Sequence, residues 1–389
     1  MSWCSWDTKT FLGPDVGPVS RGDVAERGAP VAWSRVINTT IRKYIRDVEV
    51  AILRNRVLTA MLKSRGRFTY NWGGERMDWK VEYKRNRLDG YADGDNLIFS
   101  RKDRWKSANL GWRGYAMTDA MTKVERLMNS GTEAIVKVYS EIAPNLMRDM
   151  EEWFSEEYYI DGTTSANYRR MHGIESFMSG TGTGSGSSPV VTANGTFAGL
   201  SCALAAYGGT WSGTWPSGRG TPDYDFWTPL LIDTGCSFWG TSATTWAANC
   251  IQSLRYAIIK SQRSRSARGK LDFILIDDDM FRNALEVFDT MQRVQVQTNT
   301  GVRQFGFSNT FNLDGTDVTW EYGSPQGTGY GFNCNEMEIR SMQGQLFEAE
   351  GPDYDMGSRT WRLSVDFIGN TVWTPKFFTK LYNYTAPLT

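Results

Sequence analysis

The chain has 389 residues, and its 43 Lys and Arg residues are balanced by 43 Asp and Glu residues, so the formal net charge is zero. This balance argues against a protein whose main work is to coat nucleic acid, because binding phosphate requires a basic surface. The length predicts two domains, or one large domain with subdomains. Aromatic residues make up 13% of the chain and include 16 Trp, which is typical of large cores or of subunit contacts.

The sequence offers few ligands for metal or thiol chemistry. His172 is the single histidine, and no two cysteines form a C-x-x-C pair, so we expect no metal and no cofactor. No apolar run is long enough to predict a membrane span, and the first residues lack a secretory leader pattern, so we expect a cytoplasmic product with no membrane partner. The cysteines, expected as free buried thiols, are Cys4, Cys202, Cys236, Cys250 and Cys334.

The N-terminal part of the chain combines an irregular arm with a helix. Residues 1–33 are rich in Gly and Pro and show no periodicity, which predicts an extended arm. Residues 34–65 carry one apolar stripe at helical spacing, and Gly66 follows as a stop signal, so this stretch is predicted to be a helix. The aromatic residues of the arm that we expect to dock on a neighbouring copy are Trp3, Trp6 and Phe11.

A long hairpin is predicted next. Residues 77–84 alternate apolar and polar side chains, which is typical of a strand with one wet face. Two Asp-Gly pairs predict turns before the chain returns towards residues 105–112. A hairpin of roughly forty residues is marginal alone in water, so it needs the surface of a partner. The residues expected to make that contact are Trp72, Trp79, Tyr83, Arg85, Arg87, Asp89, Asp93 and Phe99.

A long helix is predicted from Thr122 to Asp161. Thr122 and Glu125 match a capping box at its start. Gly131 and Pro144 interrupt the helix and are candidate hinges, because glycine weakens a helix and proline bends it. Apolar residues recur every three or four positions on one face. They are Val124, Leu127, Met128, Ile135, Val138, Ile142, Leu146, Met150, Trp153 and Phe154.

The second half of the chain reads as mixed α and β structure. Residues 179–189 are predicted as a flexible loop by their Gly and Ser content, and they lack the ending of a phosphate loop. Residues 246–261 are predicted as a helix, and the apolar run 271–276 as a strand buried on both faces. Residues 361–367 alternate in the manner of a sheet with one wet face. The apolar face of the helix is Trp246, Ile251, Leu254, Ile258 and Ile259.

Three features could carry chemistry. Asp277–Asp279 follow the buried strand and could hold magnesium, which makes a magnesium-dependent hydrolase the alternative function. Adjacent acids also serve as a helix cap and first turn, and we prefer that interpretation. His172 lies beside two arginines and is predicted as a turn residue, and the basic stretch 261–270 as a solvated loop that could touch nucleic acid. The sequence therefore predicts no enzyme.

The order of these parts resembles the major capsid proteins of tailed bacteriophages, which have the Hong Kong 97-type capsid fold. Residues 71–74 (NWGG), 79–84 (WKVEYK) and 93–96 (DGDN), followed by Trp105, are similar to the extended loop (E-loop) of these shells. The stretch from Asn129 through Met150 to Gly162 is similar to their spine helix. The stretches similar to the axial and peripheral domains are FAGLSCALAAYGG (197–209), AANCIQSLRYAI (247–258), LDFILIDDDMFRNALE (271–286) and TWRLSVDFIGNTVWTPKFF (360–378).

This resemblance implies an α+β fold with an N-terminal arm, an extended hairpin, a long spine helix, a peripheral domain and an axial domain. The implied bounds are 1–65 for the arm and helix, 66–121 for the hairpin, 122–175 for the spine helix and peripheral domain, 176–340 for the axial domain and 341–389 for the C-terminal strands of the peripheral domain. The remaining alternative is another structural protein of the virion.

The resemblance also implies the function and the partners. Copies of the chain would assemble as hexamers and pentamers into the icosahedral head shell around double-stranded DNA, which they would contact non-specifically. We see no long, charged helical segment of the scaffolding type near the N-terminus, so scaffolding and portal are expected as separate proteins. The expected location is the virion capsid, assembled in the host cytoplasm.

Overall fold

The structure is a computed structural model that describes residues 56–82, 90–96, 99, 101, 103–128, 145–146, 149–150, 153–203, 227–240, 244–262, 270–290, 310–321, 323–345 and 348–384. In this part of the chain the strands form a five-stranded sheet, an eight-stranded sheet and two small two-stranded sheets. The helices are α1 (Val57–Ser64), α2 (Lys123–Met128), α3 (Trp246–Ser261) and α4 (Asp278–Thr290).

The five-stranded sheet is built around its longest strand, which pairs antiparallel with three others. Leu363, Val365 and Phe367 on that strand are buried and alternate with more exposed residues, which confirms the predicted period of two. The sequence did not predict β4, since small residues on its exposed face obscure the alternation. The strands of this sheet are β1 (Phe68–Trp72), β4 (Arg113–Thr122), β14 (Met337–Met342), β15 (Glu348–Asp355) and β16 (Thr360–Trp373).

The eight-stranded sheet has the order β11-β12-β10-β13-β17-β9-β6-β5. Its strand β10 is buried at all four positions between a parallel and an antiparallel neighbour, as the apolar run predicted. The strands are β5 (Gly180–Thr181), β6 (Val190–Ala193), β9 (Leu230–Asp233), β10 (Phe273–Ile276), β11 (Thr310–Leu313), β12 (Thr316–Trp320), β13 (Gly329–Phe332) and β17 (Thr379–Tyr382). A separate two-stranded sheet joins β7 (Thr196–Phe197) to β8 (Leu200–Ser201).

The last strand leaves the five-stranded sheet. Sequence reasoning grouped residues 341–389 together, but β17 pairs with β13 and β9 of the eight-stranded sheet. The physical reason is burial, because Leu381 is buried in the core of the eight-stranded sheet and Phe378 in the core between the two large sheets. The C-terminal part of the described chain therefore ties the two large sheets together.

Helices α3 and α4 pack on the eight-stranded sheet. Helix α3 spans the predicted residues, and Trp246, Leu254 and Ile258 are buried in its core. Ile259 was also assigned to that face, but its side chain is exposed. The prediction was wrong there because a step of one residue turns the helix by about 100°, so Ile258 and Ile259 cannot both point directly at the sheet.

The glycine-rich stretch is part of the structure rather than a free loop. Within residues 179–189, β5 pairs with β6 at the end of the eight-stranded sheet. The backbone N–H of Gly184 donates to Asp233 Oδ2 at 2.7 Å. A Cβ at Gly184 would lie 2.9 Å from Cys236, so only glycine fits this close approach. The expectation of a flexible loop was wrong because composition does not show which backbone groups find partners.

The start of the long helix is formed as predicted. The N–H of Glu125 donates to Thr122 Oγ1 at 3.2 Å, and the N–H of Thr122 donates to Glu125 Oε2 at 2.9 Å, which confirms the capping box. Residues 145–146, 149–150 and 153–157 are also helical. Gly131 and Pro144 lie outside the described residues.

The helical residues between 145 and 157 pack on the five-stranded sheet. Leu146, Met150 and Phe154 are buried, and the ring of Phe154 lies 5.2 Å from that of Phe367. Val124 and Trp153 were predicted on the same face but are exposed. Val124 lies in the first turn, and Trp153 is adjacent to Phe154 and so points to another side of the helix.

A polar contact fixes the end of the helix against the sheet. Glu157 is almost fully buried, and its Oε2 accepts a hydrogen bond of 2.6 Å from the hydroxyl of Tyr115 on β4. Its Oε1 accepts one of 2.8 Å from Nε of Arg170. A buried carboxylate needs such partners, because leaving it unpaired would cost several kcal/mol.

One hydrophobic core joins the two large sheets. Its centre is Trp373 at the end of β16, with ring centroids 5.0 Å from Phe378 and 5.7 Å from Phe177. The ring centroid of Phe332 on β13 lies 6.5 Å from that of Trp373.

The four cysteines of the described chain are free and buried, as expected. No helix among the described residues is long and apolar enough to cross a membrane.

His172 is a buried part of this junction. Its Nδ1 lies 3.0 Å from Nδ2 of Asn370, and its carbonyl accepts hydrogen bonds from Trp373 Nε1 at 2.7 Å and Thr371 Oγ1 at 3.0 Å. Burial, and then the nearby charge of Arg113, lower its pKa from 6.5 to about 4, against the opposing effects of the hydrogen bond to Asn370 and the charge of Asp161. His172 is therefore neutral at pH 7 and positions the segment before β5 against β16.

The subunit is expected to lose stability in acid through His172. The unfolded chain binds a proton near pH 6.5 and the folded chain only near pH 4, so stability is complete above pH 6.5 and falls as the pH drops through that window. A pKa difference of this size corresponds to about 3 kcal/mol. Urea denaturation of the unchanged chain and of His172→Gln at pH 7 and pH 4 measures it. A constant difference between the two proteins would contradict the prediction.

Candidate intersubunit surface

The predicted hairpin is present, and its root is fixed to the core. Its strands β2 (Arg76–Glu82) and β3 (Trp105–Gly111) form seven antiparallel pairs. Met77, Ala108 and Leu110 are buried on one face and join the core that links the two sheets. The other face is exposed. A two-stranded ribbon is marginal alone, so this packing supports the root and leaves the distal part without cover from described residues.

A cluster of side chains holds the root against β14, and we call it the root clamp. The guanidinium of Arg340 lies 4.1 Å from the ring centroid of Trp72 and 5.7 Å from that of Trp79. Its Nε and Nη2 donate to Glu338 Oε2 at 2.9 and 2.8 Å. Thr69 donates to Glu338 and accepts from Trp72 Nε1. Cation–π contacts of this kind contribute about 0.5–2 kcal/mol, so the clamp restrains the angle of the hairpin.

Trp72 and Trp79 therefore have a role within the chain. Both rings are half-buried in the root clamp, which the sequence did not indicate, because Arg340 lies far from them along the chain. Their contact with a neighbouring copy stays a prediction that concerns the exposed half of each ring.

The distal part of the hairpin exposes aromatic side chains. Phe99 is 92% exposed and Tyr91 is 72% exposed. The turn predicted at Asp93-Gly94 is formed, with a positive φ of 88° at Gly94, and Asp95 Oδ2 accepts a hydrogen bond of 2.8 Å from the N–H of Ala92. Exposed apolar side chains on a projecting ribbon are typical of an interaction site.

Sequence reasoning missed two exposed aromatics of the hairpin, Tyr91 and Trp105, and could not be tested at several other positions. Trp105 on β3 is more than half exposed, and its position opposite to buried Ala108 and Leu110 in the strand alternation was the available signal. Of the expected contact and hinge residues, those outside the described part of the chain are Trp3, Trp6, Phe11, Tyr83, Arg85, Arg87, Asp89, Gly131 and Pro144.

The acidic residues before α4 serve the start of that helix. The carbonyl of Asp277 accepts from the N–H of Phe281 at 2.8 Å, and its Oδ2 accepts from the N–H of Gly327 at 2.9 Å. Asp278 accepts from the N–H of Asp279, whose carboxylate pairs with Arg282. Burial, together with the adjacent Asp278, raises the pKa of Asp277.

Their carboxylate oxygens lie within 4.8 Å of one another, close enough to hold a cation. Asp278 and Asp279 lie in the first turn of α4, as predicted, whereas the side chain of Asp277 binds the N–H of Gly327 rather than an N–H of the helix.

Comparisons with known proteins bear on the fold. No family model matches the sequence, and no curated protein matches it. The structure is similar to the capsid asymmetric unit of cyanophage A-1(L), with a TM-score of 0.51 and 12% identity over 82% of this chain and 90% of that chain. The capsid of a native GTA particle matches with a TM-score of 0.47 and 9% identity over 83% and 90%. Microbacterium phage Oxtober96 matches at 0.47 and 8% over 82% and 90%.

The likeness to the cyanophage capsid extends over 82% of this chain and 90% of that chain. It shows that this is an α+β chain with the architecture of phage capsid subunits, as the order of parts predicted. The fold is the Hong Kong 97-type capsid fold.

Proposed function

We propose that this chain is the major capsid protein of a tailed bacteriophage, and that it acts as a structural protein rather than an enzyme. Its copies assemble as hexamers and pentamers into the icosahedral head shell that encloses the double-stranded DNA genome. The observation that carries the proposal is the likeness in fold to a cyanophage capsid subunit over 82% of this chain and 90% of that one. The protein is then located in the virion, after assembly in the host cytoplasm.

The same proposal assigns a structural role to each part of the chain. Residues 66–121 contain the ribbon that reaches a neighbouring copy, and the exposed Phe99 and Asp93 lie at its distal part. Residues 1–33 supply a second arm. One chain must fit several positions in a closed shell, so joints are needed, and Gly131 and Pro144 are the proposed hinges. Residues 122–175 and 341–373 serve the peripheral domain, and residues 176–340 together with β17 serve the axial domain.

The charge of the chain limits its proposed contact with DNA to a weak, non-specific one. A net charge of zero gives weak self-repulsion between copies and no strong attraction to phosphate. In this proposal, the scaffolding and portal functions belong to separate proteins.

Electron microscopy of the expressed protein tests the proposal. We expect negative-stain images to show closed round shells or curved fragments of them, with the protein sedimenting far ahead of a 44.0 kDa monomer. A monomer by light scattering, with metal-dependent hydrolysis that is lost in Asp278→Ala, would contradict the proposal and support the hydrolase alternative.

A further inference from the structure

A carboxyl group is buried where α1 meets the end of the long helix. Glu321, directly after β12, is only 5% exposed. The hydroxyl of Tyr159, just after the long helix, donates a hydrogen bond of 3.2 Å to its Oε2. The backbone N–H of Leu58, in the first turn of α1, also donates to this carboxylate. Three segments that are distant in sequence therefore meet at one ionisable side chain.

Helix α1 has no capping side chain of its own. Arg56 occupies the N-cap position, and its side chain makes no capping hydrogen bond. The first N–H groups of a helix lack partners within the helix, and the helix dipole favours negative charge beside them. Glu321 supplies that charge from a different part of the chain, so its ionisation acts directly on the start of α1.

The surroundings of Glu321 stabilise its ionised form only in part. Its Oε1 is buried and accepts no hydrogen bond from any described residue. Burial raises the pKa of Glu321 from 4.5 to about 7, against the opposing effects of the charge of Arg56, the N–H of Leu58 and the hydroxyl of Tyr159. Keeping the carboxylate ionised in this place therefore costs free energy that a neutral carboxyl group does not.

Among the described residues, no other group that faces Glu321 changes its charge near neutral pH. Tyr158 and Tyr159 lie against it from the side of the long helix, and burial raises the pKa of both phenols well above its usual value. Tyr330 on β13 lies behind Tyr159, with ring centroids 5.4 Å apart, and burial raises its pKa as well. Arg56 faces Glu321 from the side of α1, and a guanidinium is a permanent cation.

The affinity of Glu321 for a proton depends on whether α1 is docked. When α1 moves away, water reaches the carboxyl group and its pKa returns towards 4.5. Between pH 4.5 and pH 7 the docked state therefore holds a proton that the undocked state releases. Docking is favoured as the pH falls through this window, and this contribution is lost as the pH rises towards 7.

We propose that Glu321 makes the docking of α1 depend on pH, so that α1 is held more firmly in weak acid than at pH 8. Helix α1 is followed directly by β1 and then by β2 at the root of the hairpin. The protonation of one side chain thus controls how firmly the start of this connection is fixed. A simple ion pair between Glu321 and Arg56 would act in the opposite direction, because acid would then release α1.

Hydrogen exchange of backbone amides in the full-length chain tests this device. Protection factors, which correct for the intrinsic exchange rate, are measured for residues 60–64 of α1 and for α3 at pH 6 and pH 8. The ratio of α1 to α3 protection cancels any effect of pH on the whole subunit, including that of His172. We expect this ratio to be roughly tenfold higher at pH 6, as proton linkage with the raised pKa requires.

Two variants separate Glu321 from other causes. Glu321→Gln keeps the shape and one accepting oxygen but cannot ionise, so its ratio is expected to be the same at pH 6 and pH 8. Tyr159→Phe removes a hydrogen bond that favours the ionised carboxylate, so the midpoint of the change is expected to move to higher pH. The matched control is Glu156→Gln, at an exposed acid near the same turn, which should keep the full pH dependence.

The outcomes decide the proposal without reference to shell formation, because the measurement requires only the folded subunit. It is overturned if the ratio in the unchanged chain is the same at both pH values, or higher at pH 8. It is also overturned if the tenfold change persists in Glu321→Gln, which would assign the effect to another group. If Glu321→Gln does not fold, the midpoint in Tyr159→Phe decides instead, and an unmoved midpoint overturns the proposal.

Discussion

A subunit that lacks residues 87–96 is expected to fold normally but to form no closed shells. In the described part of this segment, residues 90–96 are all exposed, and their hydrogen bonds are local to the turn. The root of the hairpin is held separately by seven strand pairs, by buried Met77 and by the root clamp. Removing the tip therefore takes away an arm without opening the core.

Two measurements check this expectation. Thermal melting of the dissociated subunit should change by no more than a few degrees, whereas negative-stain images should show no closed particles. A second variant that replaces the same residues by Gly and Ser at equal length separates the side chains of the tip from its reach. Normal particles from the deletion variant would contradict the assigned role of the hairpin.

Trp373→Ala is expected to have the largest effect on folding. Trp373 is fully buried where the two large sheets meet, and its ring contacts Phe177 and Phe378. Truncating a buried tryptophan costs about 3–5 kcal/mol, a large part of the roughly 5–15 kcal/mol that stabilises a typical domain. The free energy of unfolding from urea denaturation measures the loss, and the variant should yield little soluble subunit.

Trp373→Phe is the matched control. It keeps an aromatic ring in the core but removes the hydrogen bond of 2.7 Å to the carbonyl of His172. That carbonyl still accepts a hydrogen bond from Thr371, so we expect a smaller cost of about 1–2 kcal/mol. Equal effects of the two substitutions would show that the packing of the ring contributes little to the junction.

Features that depend on neighbours in sequence were predictable. The capping box at Thr122 and Glu125 forms because its two hydrogen bonds join residues three apart. Helix α3 begins and ends at the predicted residues, and β10 and β16 lie in the predicted runs. Periodicity reports these elements because each residue type there agrees with its local backbone.

Features that depend on distant partners were not predictable. The rings of Trp72 and Trp79 contact Arg340, which no local pattern connects to them. The stretch 179–189 has the composition of a linker but binds Asp233 and the end of a sheet. The root clamp shows the same limit, since Thr69 and Glu338 become neighbours only when β1 pairs with β14.

The sequence by itself determined the class of the chain, helix α3, strands β10 and β16, the hairpin of β2 and β3, and the shortage of ligands for a histidine-based site. Alternation, capping and turn residues act over a few positions, and their order along the chain was enough to indicate the capsid fold. Only the tertiary structure decided that β17 joins the eight-stranded sheet, that the hairpin root is clamped by Arg340 and that the stretch 179–189 pairs with the end of the eight-stranded sheet. These depend on which buried surfaces meet, and hydrophobic burial has no fixed spacing in sequence.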